Sequence, residues 1–145
     1  MPAITANKRA LFDYEILERY EAGMVLSGQE VKSVKTGHVN LRGAFVVIKD
    51  GEAWLLNAHI PPYQVLNAPE AYTPTASRKL LLKRREIEYL RGKISQKGLT
   101  IVPLKVYTSH GVIKIEIGLA RHRKKADKRE LLKKRDAERE IRHTS

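Results

Sequence analysis

Cysteine is absent from the 145 residues, which excludes disulfides, thiolate metal sites and thiol catalysis. Long apolar runs are missing as well. The longest, Ala44 to Ile48, is far short of a membrane span. The first residues, Met1-Pro2-Ala3-Ile4-Thr5-Ala6-Asn7-Lys8-Arg9, lack the apolar stretch of a secretory signal. A soluble, cytoplasmic protein without a membrane partner is expected. Patterns for catalysis are equally scarce. There is no glycine-rich Walker loop and no serine-centred nucleophile elbow. His38, His59, His110, His122 and His143 are scattered, with no metal-site spacing. His59, in Asn57-Ala58-His59-Ile60-Pro61-Pro62-Tyr63, reads as a hydrogen-bonded residue beside a strand end rather than as an acid–base group. Asp13 and Glu15 would share one strand face and read as surface ion-pair partners. The chain is therefore expected not to be an enzyme, and to need no cofactor, metal or small-molecule substrate.

Positive charge is what the sequence has in excess. Its 28 Lys and Arg stand against 16 Asp and Glu, a net charge of +12. An excess of that size favours a polyanionic partner, because each phosphate neutralised by Lys or Arg releases condensed counterions. A hydrophobic share of 42% still suffices for one modest core.

Along the chain, Tyr14 to Leu26 reads as an early strand bent near Ala22-Gly23. Ser27-Gly28-Gln29-Glu30 then has the form of a capping box, with Ser27 accepting from the Glu30 amide and Glu30 reaching back to the Ser27 amide. Val31 and Val34 share a face of the short helix that follows, and Gly37 can supply its left-handed terminus. Val39 to Asn57 reads as paired strands turning at Asp50-Gly51. Pro61, Pro62, Pro69 and Pro74 make Ile60 to Thr75 an irregular crossover. A second helix is predicted at about Lys83 to Lys97, with Ile87, Leu90 and Ile94 at helical spacing and Gly98 as a cap. Leu99–Tyr107 and Val112–Leu119 form the clearest hairpin, closed by Ser109-His110-Gly111, with Ile113, Ile115 and Ile117 alternating with Lys114 and Glu116.

Composition changes at Arg121. From there to Ser145, 11 Lys and Arg face 5 Asp and Glu, so 11 − 5 = +6 is half of the total charge. Leu131, Leu132 and Ile141 are nearly the only large apolar groups of this segment. Alone it is expected to be disordered or fraying. Pairs such as Glu130 with Lys134 and Glu138 with Arg142 would support a helix once a partner removed the repulsion. The division is thus a body over residues 1–120 and a basic tail over 121–145. Short strands and two short helices give an α+β or all-β barrel. An OB-type barrel is compatible, although pattern alone does not separate it from other small barrels.

Two basic clusters lie in the body. Lys32 and Lys35 on the first helix lead to His38, Asn40 and Arg42, while Arg78-Lys79 and Lys83-Arg84-Arg85 flank Leu80-Leu81-Leu82. A basic strand edge beside a basic helix start suits a folded RNA read by shape and backbone. Tyr63 and Tyr107 could stack on splayed bases, with core or rim packing an equal alternative.

Nine ordered blocks resemble a known family: Asp13-Tyr14-x-Ile16-Leu17, Tyr20-Glu21-Ala22-Gly23-x-Val25-Leu26, Gly28-x-Glu30-Val31-Lys32-Ser33, Val39-Asn40-Leu41, Asn57-x-His59-Ile60-x-Pro62-Tyr63, Arg78-Lys79-Leu80-Leu81-Leu82, Leu99-Thr100-x-Val102-Pro103-Leu104-Lys105, Gly118-Leu119-Ala120-Arg121 and Asp127-Lys128-Arg129. From about Asn7 to Arg142 the chain is similar to the small protein B, or SsrA-binding protein, family. The resemblance implies a mostly β fold, an OB-type barrel bound to the tRNA-like elbow of tmRNA. It implies a tail that enters the empty mRNA channel of a stalled ribosome and becomes helical there, against small-subunit rRNA near the decoding region. It points to Glu30, Lys32 and Asn40 as RNA-facing, and the basic clusters add Lys35, Arg78 and Lys79 to the expected RNA site. It assigns Asp127, Lys128 and Arg129 to the ribosome, and the basic tail adds Arg123, Lys124 and Lys125 as expected contacts there. The chain departs from the family at Gln29, Ala76, Lys83 and Arg121-His122-Arg123. It departs again at Ala126, where a stacking His or Tyr is usual, which leaves phosphate contacts from neighbouring Lys and Arg to hold the tail.

Overall fold

A computed structural model describes residues 3–63, 71–96 and 98–144, with side chains up to 139. Its elements are β1 (Ala3–Ala6), α1 (Lys8–Asp13), β2 (Tyr14–Met24), α2 (Gly28–Lys35), β3 (Phe45–Lys49), β4 (Glu52–Leu56), β5 (Arg78–Leu81), α3 (Arg84–Ile94), β6 (Leu99–Ser109), β7 (Val112–His122) and α4 (Lys125–Thr144). The fold is mostly β, one seven-stranded sheet with helices, in the order β1-β6-β3-β4-β5-β2-β7. Because β6 also pairs with β7, the pairing runs full circle through six strands. Apolar positions alternate inward around this circle, so Leu55, Leu80, Ile101, Val106, Ile115 and Ile117 meet in one buried core, joined by Val34 of α2 and Leu90 of α3.

Local chemistry accounts for the boundaries. The capping box forms as the sequence specifies. Ser27 Oγ accepts from the Glu30 amide at 3.2 Å, and Glu30 Oε1 accepts from the Ser27 amide at 3.0 Å. At the other end of α2 the His38 and Gly37 amides donate to the Ser33 and Val34 carbonyls, with Gly37 at φ 88°. That is a paired C-terminal closure needing a left-handed residue. Asp50 and Gly51, at φ 53° and 73°, make the two-residue turn of β3 and β4. The β6–β7 turn is tighter than expected, since Ser109 already pairs with Val112 and only His110-Gly111 remain between them.

Other expectations shift. The irregularity in β2 lies between Ile16 and Glu18, not at Ala22-Gly23. At Gly23 the strand instead passes from β7 to β5, and the Leu81 side chain crosses over the bare glycine. Asp13 does not share a strand face with Glu15, because it ends α1, a helix the sequence reading did not include. Asn7 starts that helix by accepting from the Ala10 amide at 3.2 Å. β7 continues to His122, two residues beyond the expected body. Residues 64–70 of the 60–75 crossover, Pro69 among them, Lys97 at the end of the second helix, and the Arg142 side chain of the Glu138–Arg142 pair lie outside the described residues.

The tail is a helix in the single chain, whereas the sequence suggested order only on a partner. The physical reason is a seat on α1. Lys128 Nζ lies 3.0 Å from Asp13 Oδ1, and the Lys128 and Arg135 head groups each stand 5.7 Å from the centre of the Phe12 ring. The Arg123 amide also donates to the Asp13 carbonyl at 2.8 Å, fixing the approach of the helix. Burial pushes the Asp13 carboxyl up, but its contacts with Lys128 and Arg9 together hold it below its ordinary value. A carboxylate lowered in the folded state stabilises above its unfolded pKa and loses that contribution as pH falls through the folded value. Acidification through and below the usual carboxylate range should therefore loosen α4 before the sheet. Asp13→Asn should do the same at neutral pH. Amide exchange over residues 125–135 measures both, and exchange as slow in the variant as in the parent would contradict the seat.

Candidate nucleic-acid interface

Arg78 is the organising residue of the basic face. It begins β5 with its side chain inward and only 3% exposed. Its Nε donates to Glu30 Oε2 at 2.6 Å, Nη1 to the Ala58 and Ala76 carbonyls at 2.8 and 3.0 Å, and Nη2 to the Pro74 carbonyl at 2.8 Å. One guanidinium thus joins α2 to the segments on both sides of the crossover. Expected from sequence to face RNA, Arg78 lies inside and spends its donors on protein acceptors.

The neighbouring segment is held with equal care. Asn40 and His59 exchange backbone hydrogen bonds at 2.9 Å each, so His59 contributes through its main chain while its side chain stays exposed. Ser33 Oγ donates to the Pro61 carbonyl at 2.8 Å, and the Tyr72 hydroxyl to that of Ile60 at 2.6 Å. Burial, then the Glu30 carboxylate, pushes the Tyr72 phenol up. Asn40 Oδ1 accepts from the Arg42 amide at 2.9 Å, which shapes the turn.

On this frame the cations are displayed. Lys32, Lys35, His38, Asn40 and Arg42 are all exposed. Lys32 Nζ stands 6.0 Å from the ring centre of Tyr63, itself 44% exposed. That pairing offers a phosphate-binding charge beside an aromatic face on which a base can stack. Tyr107, the other stacking candidate, is buried and donates its hydroxyl to Glu21. Lys79 points the opposite way from Arg78 and pairs with Glu52 at 3.0 Å, away from the α2 face.

The tail residues divide similarly. Arg123 is partly buried, whereas Lys124, Lys125, Asp127 and Arg129 are exposed, and Lys128 turns inward to Asp13. Among the described residues, no group of three or more His, Asp or Glu could hold a metal ion. The sequence reading missed Asn7 and Phe12. Asn7 is buried, donating to the Leu41 and Pro103 carbonyls at 3.3 and 2.9 Å. Its position just before a run of charged and helix-forming residues is the one signal that could have marked it.

Arg78→Ala should destabilise the fold by about 3–5 kcal/mol, since it leaves a largely buried carboxylate without its cation and several carbonyls unpartnered. Lys79→Ala should cost under about 1 kcal/mol, as expected for an exposed pair. Urea unfolding of both variants checks this, and equal midpoints would remove Arg78 from its organising place.

Comparison with known proteins agrees with this architecture. The sequence matches the SmpB protein family over residues 4–145. It is 53% identical over 138 residues to the SsrA-binding protein of Sulfurihydrogenibium sp. (strain YO3AOP1), covering 95% of this chain and 90% of that protein. Over 143 residues it is 52% identical to the SsrA-binding protein of Coprothermobacter proteolyticus, covering 98% and 95%. A solved structure described as "tmRNA-SmpB: a journey to the center of the bacterial ribosome" superposes with a TM-score of 0.69 at 48% identity, covering 83% of this chain and 85% of that one. Matched over residues 4–145 and about half identical to these relatives over nearly its whole length, the chain belongs to the SmpB protein family.

Proposed function

We propose that this chain binds the tRNA-like domain of tmRNA and delivers it to stalled ribosomes for trans-translation, as a cytoplasmic RNA-binding protein rather than an enzyme. The observation that carries the reading is the exposed Lys32–Tyr63 face, built on the buried Glu30–Arg78 pair, in a chain about half identical to SsrA-binding proteins. Circular pairing of six strands supports an OB-type barrel as the RNA-binding body. In this account Lys32, Lys35 and Asn40 meet the RNA. Glu30 shapes the edge they stand on, and Arg78 positions Glu30. Lys79, paired with Glu52, stands away from that edge. The tail, with Arg123, Lys124, Lys125, Asp127, Lys128 and Arg129, occupies the empty mRNA channel near the decoding region. There, rRNA phosphates neutralise the charge that opposes helix formation.

Removing the chain beyond His122, where β7 ends, should leave tmRNA binding at moderate salt largely intact and abolish tagging of stalled peptides. Leu131→Pro should mimic the loss, since an interior proline costs a helix about 3 kcal/mol. Tagging assayed beside tmRNA affinity checks the division. Normal tagging by either variant would refute the role of the tail, and lost tmRNA binding would move the tail into the RNA site.

A further inference from the structure

The outer face of β3, β4, β5, β2 and β7 carries large apolar side chains where an outward sheet face is normally polar. Cross-strand register sets its centre. Trp54 of β4 lies opposite Val47 of β3 and Lys79 of β5, and Gly23 of β2 lies opposite Leu81 of β5 and Lys114 of β7. Two shapes result. On β3 and β4 a groove of about 470 Å³ has Val47, Trp54 and Leu56 as its apolar lining. Beside it stands a ridge. Because Gly23 has no side chain, Leu81 lies across β2, its Cβ 3.4 Å from where a Cβ of residue 23 would stand. Val25 and Val112 flank that crossing, and Leu81, Val25 and Val112 are 55%, 51% and 54% exposed. The neighbouring outer face, over β6 and β7, is instead closed by α1, whose Ala10 packs on Val102, Leu104 and Ala120.

Charge on this face is nearly balanced, unlike that of the chain as a whole. Lys49, Lys79 and Lys114 stand against Asp50 and Glu52, so 3 − 2 = +1 out of a total of +12. A nucleic acid gains little here, since two carboxylates would face its phosphates. A second copy of the same face gains more, because the face complements itself. Between groove and ridge, Lys79 pairs with Glu52 at 3.0 Å, and each side chain keeps an open side, 38% and 42% exposed. A twofold axis through that ion pair seats the ridge of each copy in the groove of the other. At the axis the two ion pairs then meet head to tail, each Lys79 beside the Glu52 of the other copy. Such a contact uses one patch twice and closes at two chains.

We propose that this face is a self-association surface, through which two copies of the chain pair as a twofold dimer. The inference does not rest on the RNA-binding reading, and it uses a face other than that of Lys32 and Tyr63. Size sets its strength. Five strands at ~4.8 Å spacing and five residues at ~3.4 Å give a face on the order of 400 Å² in projection. That is below the ~800 Å² a side of a standard stable complex, so the dimer is weak and depends on protein concentration. Two chains of +12 also repel each other. Salt screens that repulsion and leaves apolar contact intact, so association strengthens as salt rises, the opposite of phosphate binding.

The test is analytical ultracentrifugation of the full chain, freed of nucleic acid, across protein concentration at low and high salt. The mass should move from one chain toward two as concentration rises, and should do so at lower concentration in high salt. Leu81→Ser with Val112→Ser alters side chains that are already exposed, so the fold survives. That variant should raise the dissociation constant at least about tenfold. Trp54→Ala should do as much, with circular dichroism confirming that it is folded. Monomer mass up to about 1 mM chain in high salt, near the weak limit of measurable association, would overturn the dimer. So would association untouched by both variants, association weakened by salt, or masses beyond two chains, which mark a contact that does not close. Monomers whose Trp54 and Leu81 amides are protected by added small ribosomal subunits would overturn it too, and would give the face to the ribosome.

Discussion

The buried ion pair of Arg78 and Glu30 is the interaction on which the rest of the interface depends. Removing a guanidinium and a carboxylate from water is costly. Attraction between them compensates only when geometry is good and the remaining donors find partners. Here they do, because Arg78 also reaches three carbonyls from Ala58, Pro74 and Ala76. A lysine could not replace it, since only the planar fork addresses the carboxylate and the carbonyls at once. The pair fixes how α2 sits on the sheet. Since Glu30 is also the capping residue of α2, the start of the helix and its attachment are set by one carboxylate.

This arrangement separates two kinds of positive charge. Several cations on the sheet surface are balanced within the protein, as Lys79 is by Glu52 and Arg19 by Glu116. Those on α2 and the following turn are exposed and carried on a rigid frame. Holding cations in place before a ligand arrives reduces the ordering cost of binding. The tail follows another logic. It adds little to the core, and its seat on α1 rests mainly on one carboxylate and one aromatic ring. Such contacts are weak enough to exchange for phosphates, as the proposed role of the tail requires.

Much of the body was legible in the sequence because its signals are local. The capping box, the Asp50-Gly51 turn and the alternation of Ile113, Ile115 and Ile117 each lie within a few residues, where propensity and periodicity act. What escaped depends on distance. Arg78 sits in a basic run and reads as a surface cation, and only its partner 48 residues earlier makes it an internal one. Helix α1 spans six residues, too short for a periodic pattern. Asp13 reads as half of a carboxylate pair on a strand, yet its partner Lys128 lies near the other end of the chain. The seat of the tail on α1 escaped for the same reason, since composition weighs a segment alone and cannot register a docking ring such as Phe12.

The central claim is that RNA meets the face held together by Arg78 and Glu30. Amide exchange of the full chain, with and without a transcript of the tRNA-like domain, tests it most directly. The account predicts slowed exchange over residues 28–43 and 57–63, with the outer hairpin of β3 and β4 around Trp54 unchanged. Protection confined to that hairpin, or no protection under conditions where the transcript is bound, would contradict it.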